Sequence, residues 1–267
     1  MCTIGNVFLS TQSPKGNITF KQCDLTQQVN FLPPQIIADG KIRYIPFLRE
    51  GSSGPWAGIN EYGVSFVAAD SYIDKAGNMQ NSANPNNSIF EQYLNIIKNY
   101  RTAAEAAEMM RDFYIHDFKE PDILMISDST NSFFIETYNG EVQVIQKTKG
   151  FFASANHFRM VYGAIPYNKN HSTYLRLARA ESILEHQQNK DGVFKVLSDQ
   201  YYGESVWSIC RVSKDVPQQE EPYFTQASVI FTVQNINEKV RIDCSYIING
   251  NPLSKGWIHQ DDIFRIL

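Results

Sequence analysis

The 267-residue sequence has few cysteines, few basic residues and no long apolar run. Its 24 lysines and arginines are outnumbered by 28 acidic residues, so the net charge of -4 offers no basic face for nucleic acid. The four cysteines form no CxxC pair and no Cys/His pair at the spacing of metal ligands, which argues against a zinc site or a disulfide framework. We therefore expect no metal, no cofactor and no nucleic-acid partner.

Membrane and targeting patterns are also missing. No apolar stretch reaches the roughly 20 residues that a membrane-spanning helix needs. The first thirty residues lack the basic region and apolar run of a signal peptide. No GxGxxG follows a strand and no GxxxxGK[ST] occurs, so dinucleotide and P-loop functions lack support. We expect a cytoplasmic protein that does not bind membranes.

The length favours one hydrophobic core, because about 250 to 300 residues is where single cores stop growing. Residues 1–267 are therefore predicted to form one domain, and no repeat of 20 to 50 residues is visible. Homo-oligomerisation stays open.

The order of the predicted elements indicates the fold class. Strand patterns dominate the first seventy residues, return between 122 and 158, and close the chain with SVWSICRV, QASVIFTVQ and VRIDCSYIING. Helix signals lie between these groups: SIFE at 88–91 and TAAE at 102–105 are capping boxes, and further helices are predicted from Ser172 to about Glu185 and after Asp191. Grouped strands and helices favour an α+β fold, and their order suits a four-layer αββα sandwich with two facing antiparallel sheets.

The first residues, MCTI, place a cysteine directly after the initiator methionine. If Met1 is removed, Cys2 carries both a thiol and a free α-amine, whose ordinary pKa values are about 8.5 and about 8. The amine can take the thiol proton and later return it to a leaving amine, so no histidine is required. This arrangement is suited to acyl transfer from an amide.

Several segments together resemble a known family: CTIG at the expected mature start, FKQCDLT, AGINEYGVSF, ASANHF and STYLRLAR. They look like the cysteine class of N-terminal nucleophile (Ntn) hydrolases, in particular the choloylglycine hydrolase and penicillin V acylase group with its acyltransferase relatives. The likeness is scattered from residue 2 to about residue 250, and its weight comes from the order and spacing of the motifs. The resemblance implies the four-layer Ntn sandwich with Cys2 as the mature N-terminus.

The resemblance also implies roles for five residues. Cys2 matches the nucleophile, and Asp24 matches the aspartate that binds the new amino terminus. Lys21 stands where bile-salt hydrolases have arginine, which keeps the positive charge but loses the planar fork. Asn156 matches an asparagine of the oxyanion hole. Arg176 matches a charged member of the catalytic cluster and is expected to pair with Asp24.

Asp70 departs from the family pattern, because bile-salt hydrolases have an asparagine at the matching position. An ionised aspartate cannot donate a hydrogen bond to an oxyanion. Either a backbone N–H near Ala69 or Asp70 supplies that bond, or Asp70 recognises a cationic group on the substrate. Among the many aromatic residues, Phe158 is a candidate for an acyl pocket.

Each of these residues also has a purely structural interpretation. Asp24 could end a strand, Lys21 could be a solvated strand residue, Asn156 could be a turn residue, and Arg176 could lie on a helix surface. The remaining cysteines, Cys23, Cys210 and Cys244, are interpreted as inert core thiols in apolar strands. His157 follows Asn156, but nothing in the sequence places it near Cys2.

The function predicted from the sequence is hydrolysis of a linear, non-peptide amide in a small N-acyl compound, through a Cys2 thioester. An acyltransferase that passes the acyl group to an amine would use the same residues. A binding or scaffold protein that keeps the fold without turnover is a third interpretation, which the departure at Asp70 leaves open. The expected partner is a small-molecule acyl amide.

Overall fold

A computed structural model describes residues 1–9, 15–52, 54–71, 87–161, 171–212 and 223–265 of the chain. Along the described residues the strands are β1 (Cys2–Leu9), β2 (Gly16–Leu25), β3 (Tyr44–Phe47), β4 (Ala57–Asn60), β5 (Ser65–Ala69), β6 (Asp122–Ser127), β7 (Ser132–Tyr138), β8 (Glu141–Lys147), β9 (Phe151–Ser154), β10 (Phe224–Ile236), β11 (Lys239–Ile248) and β12 (Ile258–Gln260). The helices are α1 (Asn87–Asn99), α2 (Ala103–His116), α3 (Ser172–His186) and α4 (Lys190–Leu197).

The strands form two six-stranded antiparallel sheets. The first has the order β12-β11-β10-β2-β1-β9, so the N-terminal strand β1 lies inside it, between β2 and β9. The second has the order β3-β4-β5-β6-β7-β8. All strand pairs within both sheets are antiparallel.

Three apolar clusters lie between the layers of helices and sheets that make up the fold. One lies between the two sheets and contains Cys2, Ile4 and Cys23 from the first sheet with residues such as Val67 from the second. A second cluster joins the outer face of the β3–β8 sheet to α1 and α2. A third joins the outer face of the first sheet to α3 and α4. The predicted α+β, four-layer αββα architecture is therefore confirmed, and β1, β2, β5 and β6 are buried on both faces as their apolar composition indicated.

The predicted hairpin of the first two strands is also found. β1 and β2 pair from Cys2 opposite Cys23 to Leu9 opposite Gly16. The predicted turn around Pro14 lies outside the described residues. Because side chains alternate across a strand, this register places Cys2 and Cys23 on the same face of the sheet.

The helix starts were predicted with partial success. Thr102 is the N-cap of α2, since its side chain accepts a hydrogen bond from the Glu105 backbone N–H. The first helix begins at Asn87, so Ser88 lies within it and is not the cap that the SIFE pattern predicts. Helix α4 begins at Lys190 after the N-cap Asn189, close to the expected position.

The prediction of a strand at SVWSICRV was wrong. Residues 205–210 form turns and bends, and residues 211–212 have no regular secondary structure. The Ser208 hydroxyl donates to the Gly203 carbonyl at 2.7 Å, and the Ser205 hydroxyl donates to the Tyr202 carbonyl at 2.8 Å. Such local bonds from serine offer the backbone an alternative to a strand ladder. The short strand β12 was not predicted from the sequence.

Candidate active site

Cys2 begins β1 and is only 6% exposed. Its side chain belongs to the cluster between the two sheets. Thr3, the next residue, lies on the opposite face, where its hydroxyl contacts Arg176 of α3. The first strand thus presents the cysteine to the second sheet and its neighbours to the helices.

Met1 continues the pairing of β1 with β2. Its amino group donates to the Asp24 carbonyl at 2.7 Å, and the Asp24 N–H donates to the Met1 carbonyl at 2.8 Å. Met1 is 2% exposed, and burial lowers the pKa of its amino group. While Met1 is present, the nitrogen of Cys2 is a peptide N–H and not an amine.

Lys21 lies on the same face of β2 as Cys23, two residues away, and its side chain crosses to the second sheet. Its Nζ atom donates to the Ala68 carbonyl at 2.5 Å and to the Trp56 carbonyl at 3.1 Å. Lys21 is a buried residue. Because an ammonium carries three hydrogens, two carbonyl contacts leave one N–H for a further acceptor.

The Cys2 thiol is acidic in these surroundings. The pKa of Cys2 is lowered to about 6, and interaction with the neighbouring Cys23 thiol is the largest cause. The positive charges of Lys21 and of the chain terminus also lower that pKa, whereas burial and the negative charge of Asp70 raise it. The same contact and burial raise the pKa of Cys23, so the charge resides on the Cys2 sulfur at neutral pH.

Asn156 connects the nitrogen of Cys2 with the end of β5. The Cys2 N–H donates to Asn156 Oδ1 at 2.8 Å, and Asn156 Nδ2 donates to the Asp70 carbonyl at 2.6 Å. Two donors face Oδ1 and a carbonyl faces Nδ2, which fixes the orientation of the amide. The Asn156 N–H in turn donates to the Thr173 hydroxyl at 2.9 Å.

Arg176 is fully buried behind the first residues of β1. Its guanidinium donates to the Cys2 carbonyl at 2.5 Å, to the Thr3 hydroxyl at 3.0 Å and to Asn156 Oδ1 at 3.0 Å. The expected ion pair with Asp24 is not what the structure shows, because α3 directs the Arg176 side chain toward the backbone of β1. Arg176 therefore fixes the position of Cys2 and of Asn156.

The carboxylate of Asp24 is instead paired with Arg211. Arg211 Nε lies 3.6 Å from Asp24 Oδ2, and both side chains have no exposed surface. The Thr225 hydroxyl donates to Asp24 Oδ1 at 2.8 Å. Arg211 was not predicted as a site residue, because its segment has the apolar pattern of a strand. The available signal was a single arginine in the apolar stretch SICRV.

Glu136 of β7 is a second residue that the sequence did not single out. Its buried carboxylate accepts backbone N–H bonds from Arg159, Met160 and Val161 at 2.7 to 3.2 Å. Burial raises the pKa of this carboxyl, while the backbone donors oppose that rise. These bonds fix the turn that follows Asn156.

Three other residues considered from the sequence are Asp70, Phe158 and His157. The Asp70 side chain is exposed at the end of β5, yet its charge acts on the pKa of Cys2. Phe158 is buried and stacks on Tyr138 with 6.2 Å between ring centroids, so its role in substrate binding stays a prediction. His157 contacts the Thr173 hydroxyl at 2.9 Å, and burial lowers its pKa to about 3.

Two facing antiparallel sheets, covered by helices and carrying a cysteine at the start of the first strand, define a cysteine-class Ntn-hydrolase fold. Residues 41–233 match the sequence model of the acyl-coenzyme A:6-aminopenicillanic acid acyl-transferase family. The chain belongs to this family, and the resemblance inferred from its motifs is confirmed. No curated protein matches the chain.

Solved structures agree on the fold. A mutant of conjugated bile acid hydrolase from Clostridium perfringens is 11% identical, with a TM-score of 0.51 over 96% of each chain. The Caenorhabditis elegans ortholog of N-acylethanolamine-hydrolyzing acid amidase is 14% identical, with a TM-score of 0.53 over 86% of this chain and 92% of that chain. At these identities the likeness concerns the fold.

No described helix is long and apolar enough to cross a membrane. Within the same described ranges, no group of three or more His, Cys, Asp or Glu side chains is arranged to hold a metal ion.

Proposed function

We propose that this protein hydrolyses a linear, non-peptide amide in a small N-acyl compound, with Cys2 as nucleophile. The observation that carries the proposal is the convergence on Cys2 of an acidic thiol, the buried Lys21 cation and Asn156 beside the Cys2 nitrogen. A thiolate is the reactive form of cysteine, and the pKa of about 6 in the chain that carries Met1 makes the thiolate available at neutral pH. The names of the two solved relatives, both hydrolases, support the same class of substrate.

In the first half-reaction the Cys2 thiolate attacks the amide carbonyl and forms a tetrahedral oxyanion. The second hydrogen of Asn156 Nδ2 and a backbone N–H near Ala69 or Asp70 donate to that oxygen. The C–N bond then breaks, and the leaving amine takes a proton from the α-ammonium of Cys2. The acyl group remains on sulfur as a thioester.

In the second half-reaction water attacks the thioester carbonyl and gives its proton to the α-amine of Cys2. The C–S bond breaks, which releases a carboxylic acid and regenerates the thiolate. An amine that replaces water at this step would make the enzyme an acyltransferase, and the name of the matched family favours that second candidate. Both outcomes use the same residues.

Removal of Met1 is part of the proposal, because only then does the Cys2 nitrogen become an amine. That nitrogen lies 2.8 Å from Asn156 Oδ1, which can hold an ammonium as well as a peptide N–H. Met1 is buried and its amino group is bonded to the Asp24 carbonyl. We therefore propose that Met1 is removed either before the β1–β2 pairing is complete or by Cys2 itself.

Asp70 is proposed to select the substrate. Its carboxylate is exposed at the end of β5, and it is near enough to act electrostatically on Cys2. A cationic group on the substrate would pair with it. The Asp70→Asn variant should lose its preference, measured as kcat/KM, for acyl amides of a diamine over matched neutral amides.

The main test is a panel of N-acyl amides of differing chain length, with intact mass and peptide mapping after a short exposure. A catalytic Cys2 gives an acyl adduct on the N-terminal peptide and a free amine in solution. The Cys2→Ala variant should give neither product, whereas the matched Cys244→Ala variant should resemble the wild type. Turnover by Cys2→Ala, or by protein that demonstrably retains Met1, would contradict the proposal.

The acyltransferase candidate is separated by repeating the panel with and without an added amine. Hydrolysis gives the carboxylic acid in both cases, whereas transfer gives a new amide only when the amine is present. A scaffold protein would give no product in either case and no preferential alkylation of Cys2 by iodoacetamide at neutral pH.

A further inference from the structure

Cys23, which the sequence predicts to be an inert core thiol, lies directly opposite Cys2 in the structure. The two residues are partners in the β1–β2 register. Both are buried in the cluster between the sheets, and Cys23 is 2% exposed. We infer that Cys2 and Cys23 form a reversible disulfide that blocks the nucleophile and protects it from irreversible oxidation. This inference rests on the proposed function of Cys2.

The hydrogen-bond pattern of the ladder favours this bond. Met1 and Asp24 exchange two backbone bonds of 2.7 and 2.8 Å, so they form a hydrogen-bonded pair. Pairs alternate along an antiparallel ladder, and Cys2 with Cys23 is therefore a non-hydrogen-bonded pair. Such pairs have Cα atoms about 4.5 Å apart and side chains that approach closely.

A disulfide accepts that spacing without movement of the backbone, since it requires Cα atoms about 4.4 to 6.8 Å apart. The register continues to Leu9 opposite Gly16, so the pairing does not depend on Met1. The contribution of Cys23 to the lowered pKa of Cys2 agrees with this proximity. The geometry thus holds the second sulfur beside the first in the reduced state.

Cys244 offers a useful contrast. It lies in the same sheet and in the same cluster, but its partners in the ladder are Phe231 and Gln260. Burial raises the pKa of Cys244. A buried thiol without a neighbouring cysteine in the ladder is therefore available as a matched control.

The oxidant is a hydroperoxide, which is small enough to follow the route of the substrate. The Cys2 thiolate attacks one peroxide oxygen, the O–O bond breaks, and Cys2 sulfenic acid and hydroxide form. The Cys23 sulfur then attacks the Cys2 sulfur, the S–O bond breaks, and the disulfide and water are the products. Cys2 is oxidised, peroxide is reduced, and Cys23 itself needs no access to solvent. An external dithiol restores both thiols by exchange.

Without Cys23 the sulfenic acid has no adjacent thiol. It is then open to further oxidation to sulfinic acid, which dithiols do not reduce. The presence of Cys23 should therefore decide whether peroxide inactivation can be reversed.

The experiment treats the full-length protein with hydrogen peroxide at pH 7 and maps its peptides without reduction. We expect a cross-linked pair of peptides that contain Cys2 and Cys23, lighter by two hydrogen atoms than the sum of the free peptides, which dithiothreitol separates. After peroxide and dithiothreitol, the wild type and Cys244→Ser should regain iodoacetamide labelling at Cys2. Cys23→Ser should lose that recovery and carry a sulfinic acid at Cys2.

Absence of the cross-linked peptides from oxidised wild type overturns the inference, and this measurement needs no variant to fold. The inference is also overturned if Cys23→Ser and the wild type regain iodoacetamide labelling at Cys2 to the same extent. None of these readouts requires turnover. A disulfide in a protein that cleaves no amide would therefore contradict the proposed function alone, and amide cleavage without the disulfide would contradict the inference alone.

Discussion

Replacement of Lys21 by methionine tests the electrostatics of the proposed nucleophile most directly. Methionine nearly preserves the length of the side chain but removes its charge. The Lys21 ammonium is buried and lowers the pKa of Cys2, which is about 6. An opposite charge nearby shifts a pKa by about 1 to 3 units. The pKa of Cys2 in the Lys21→Met variant should therefore be at least about one unit higher than in the wild type.

The change in reactivity follows from the fraction of thiolate. At pH 6 about half of the wild-type Cys2 is ionised, whereas a pKa one unit higher leaves about one tenth. Alkylation of Cys2 at pH 6 should therefore slow by about fivefold, and the difference should shrink above pH 8, where both proteins are ionised.

The assay is the rate of iodoacetamide labelling at Cys2 between pH 4.5 and pH 9, measured on the N-terminal peptide. Lys195→Met is the matched control, because Lys195 is an exposed residue of α4 whose Nζ donates to Gln187 Oε1 at 2.6 Å. Urea unfolding of both variants must accompany the assay, since Lys21→Met leaves the Trp56 and Ala68 carbonyls without their donor. If the Lys21→Met protein is folded and the pH midpoint of its Cys2 labelling equals that of the wild type, the electrostatic role of Lys21 is refuted.

Three further predictions concern buried charged residues. Arg211→Met should lower the free energy of unfolding in urea by about 3 to 5 kcal/mol, because it leaves the buried carboxylate of Asp24 unpaired; a loss below about 1 kcal/mol would contradict this. Burial raises the pKa of Asp122 to about 6, above its ordinary value, so its contribution to stability is present at pH 4 and lost as pH rises through 6. Relative to Asp122→Asn, the wild type should therefore lose up to about 3 kcal/mol between pH 4 and pH 7 in urea titrations, and parallel pH profiles would exclude this. Glu136→Gln should weaken the bonds to the turn after Asn156 and lower kcat more than it raises KM for any substrate found above; an unchanged kcat would argue against a positioning role.

The fold class could be predicted because it depends on short-range patterns. Apolar runs bounded by turn residues mark buried strands, and Thr102 with Glu105 marks a helix start that the structure confirms. The exception at residues 205–212 has the same origin. Ser205 and Ser208 donate to backbone carbonyls and stabilise turns, and neither the apolar pattern nor β-propensity accounts for that competition.

The arrangement around Cys2 depended on contacts between distant parts of the chain. Arg176 and Arg211 are both arginines in partly apolar segments, and their sequence contexts do not show which of them reaches Asp24. The direction of α3 brings Arg176 to the backbone of β1, while the turns at residues 205–210 bring Arg211 to the carboxylate. The local sequence pattern does not show where these two side chains point in the folded protein.

The sequence by itself determined the position of the cysteine, its place at the start of a strand, and the four-layer α+β fold. These features follow from local order along the chain and from the alternation of apolar residues. Only the tertiary structure decided that Cys23 lies opposite Cys2, that Lys21 spans the two sheets, and that Asn156 joins Cys2 to β5. Strand register and the packing of one sheet on the other depend on contacts between distant parts of the chain. These contacts determine which charged and titratable side chains lie close together.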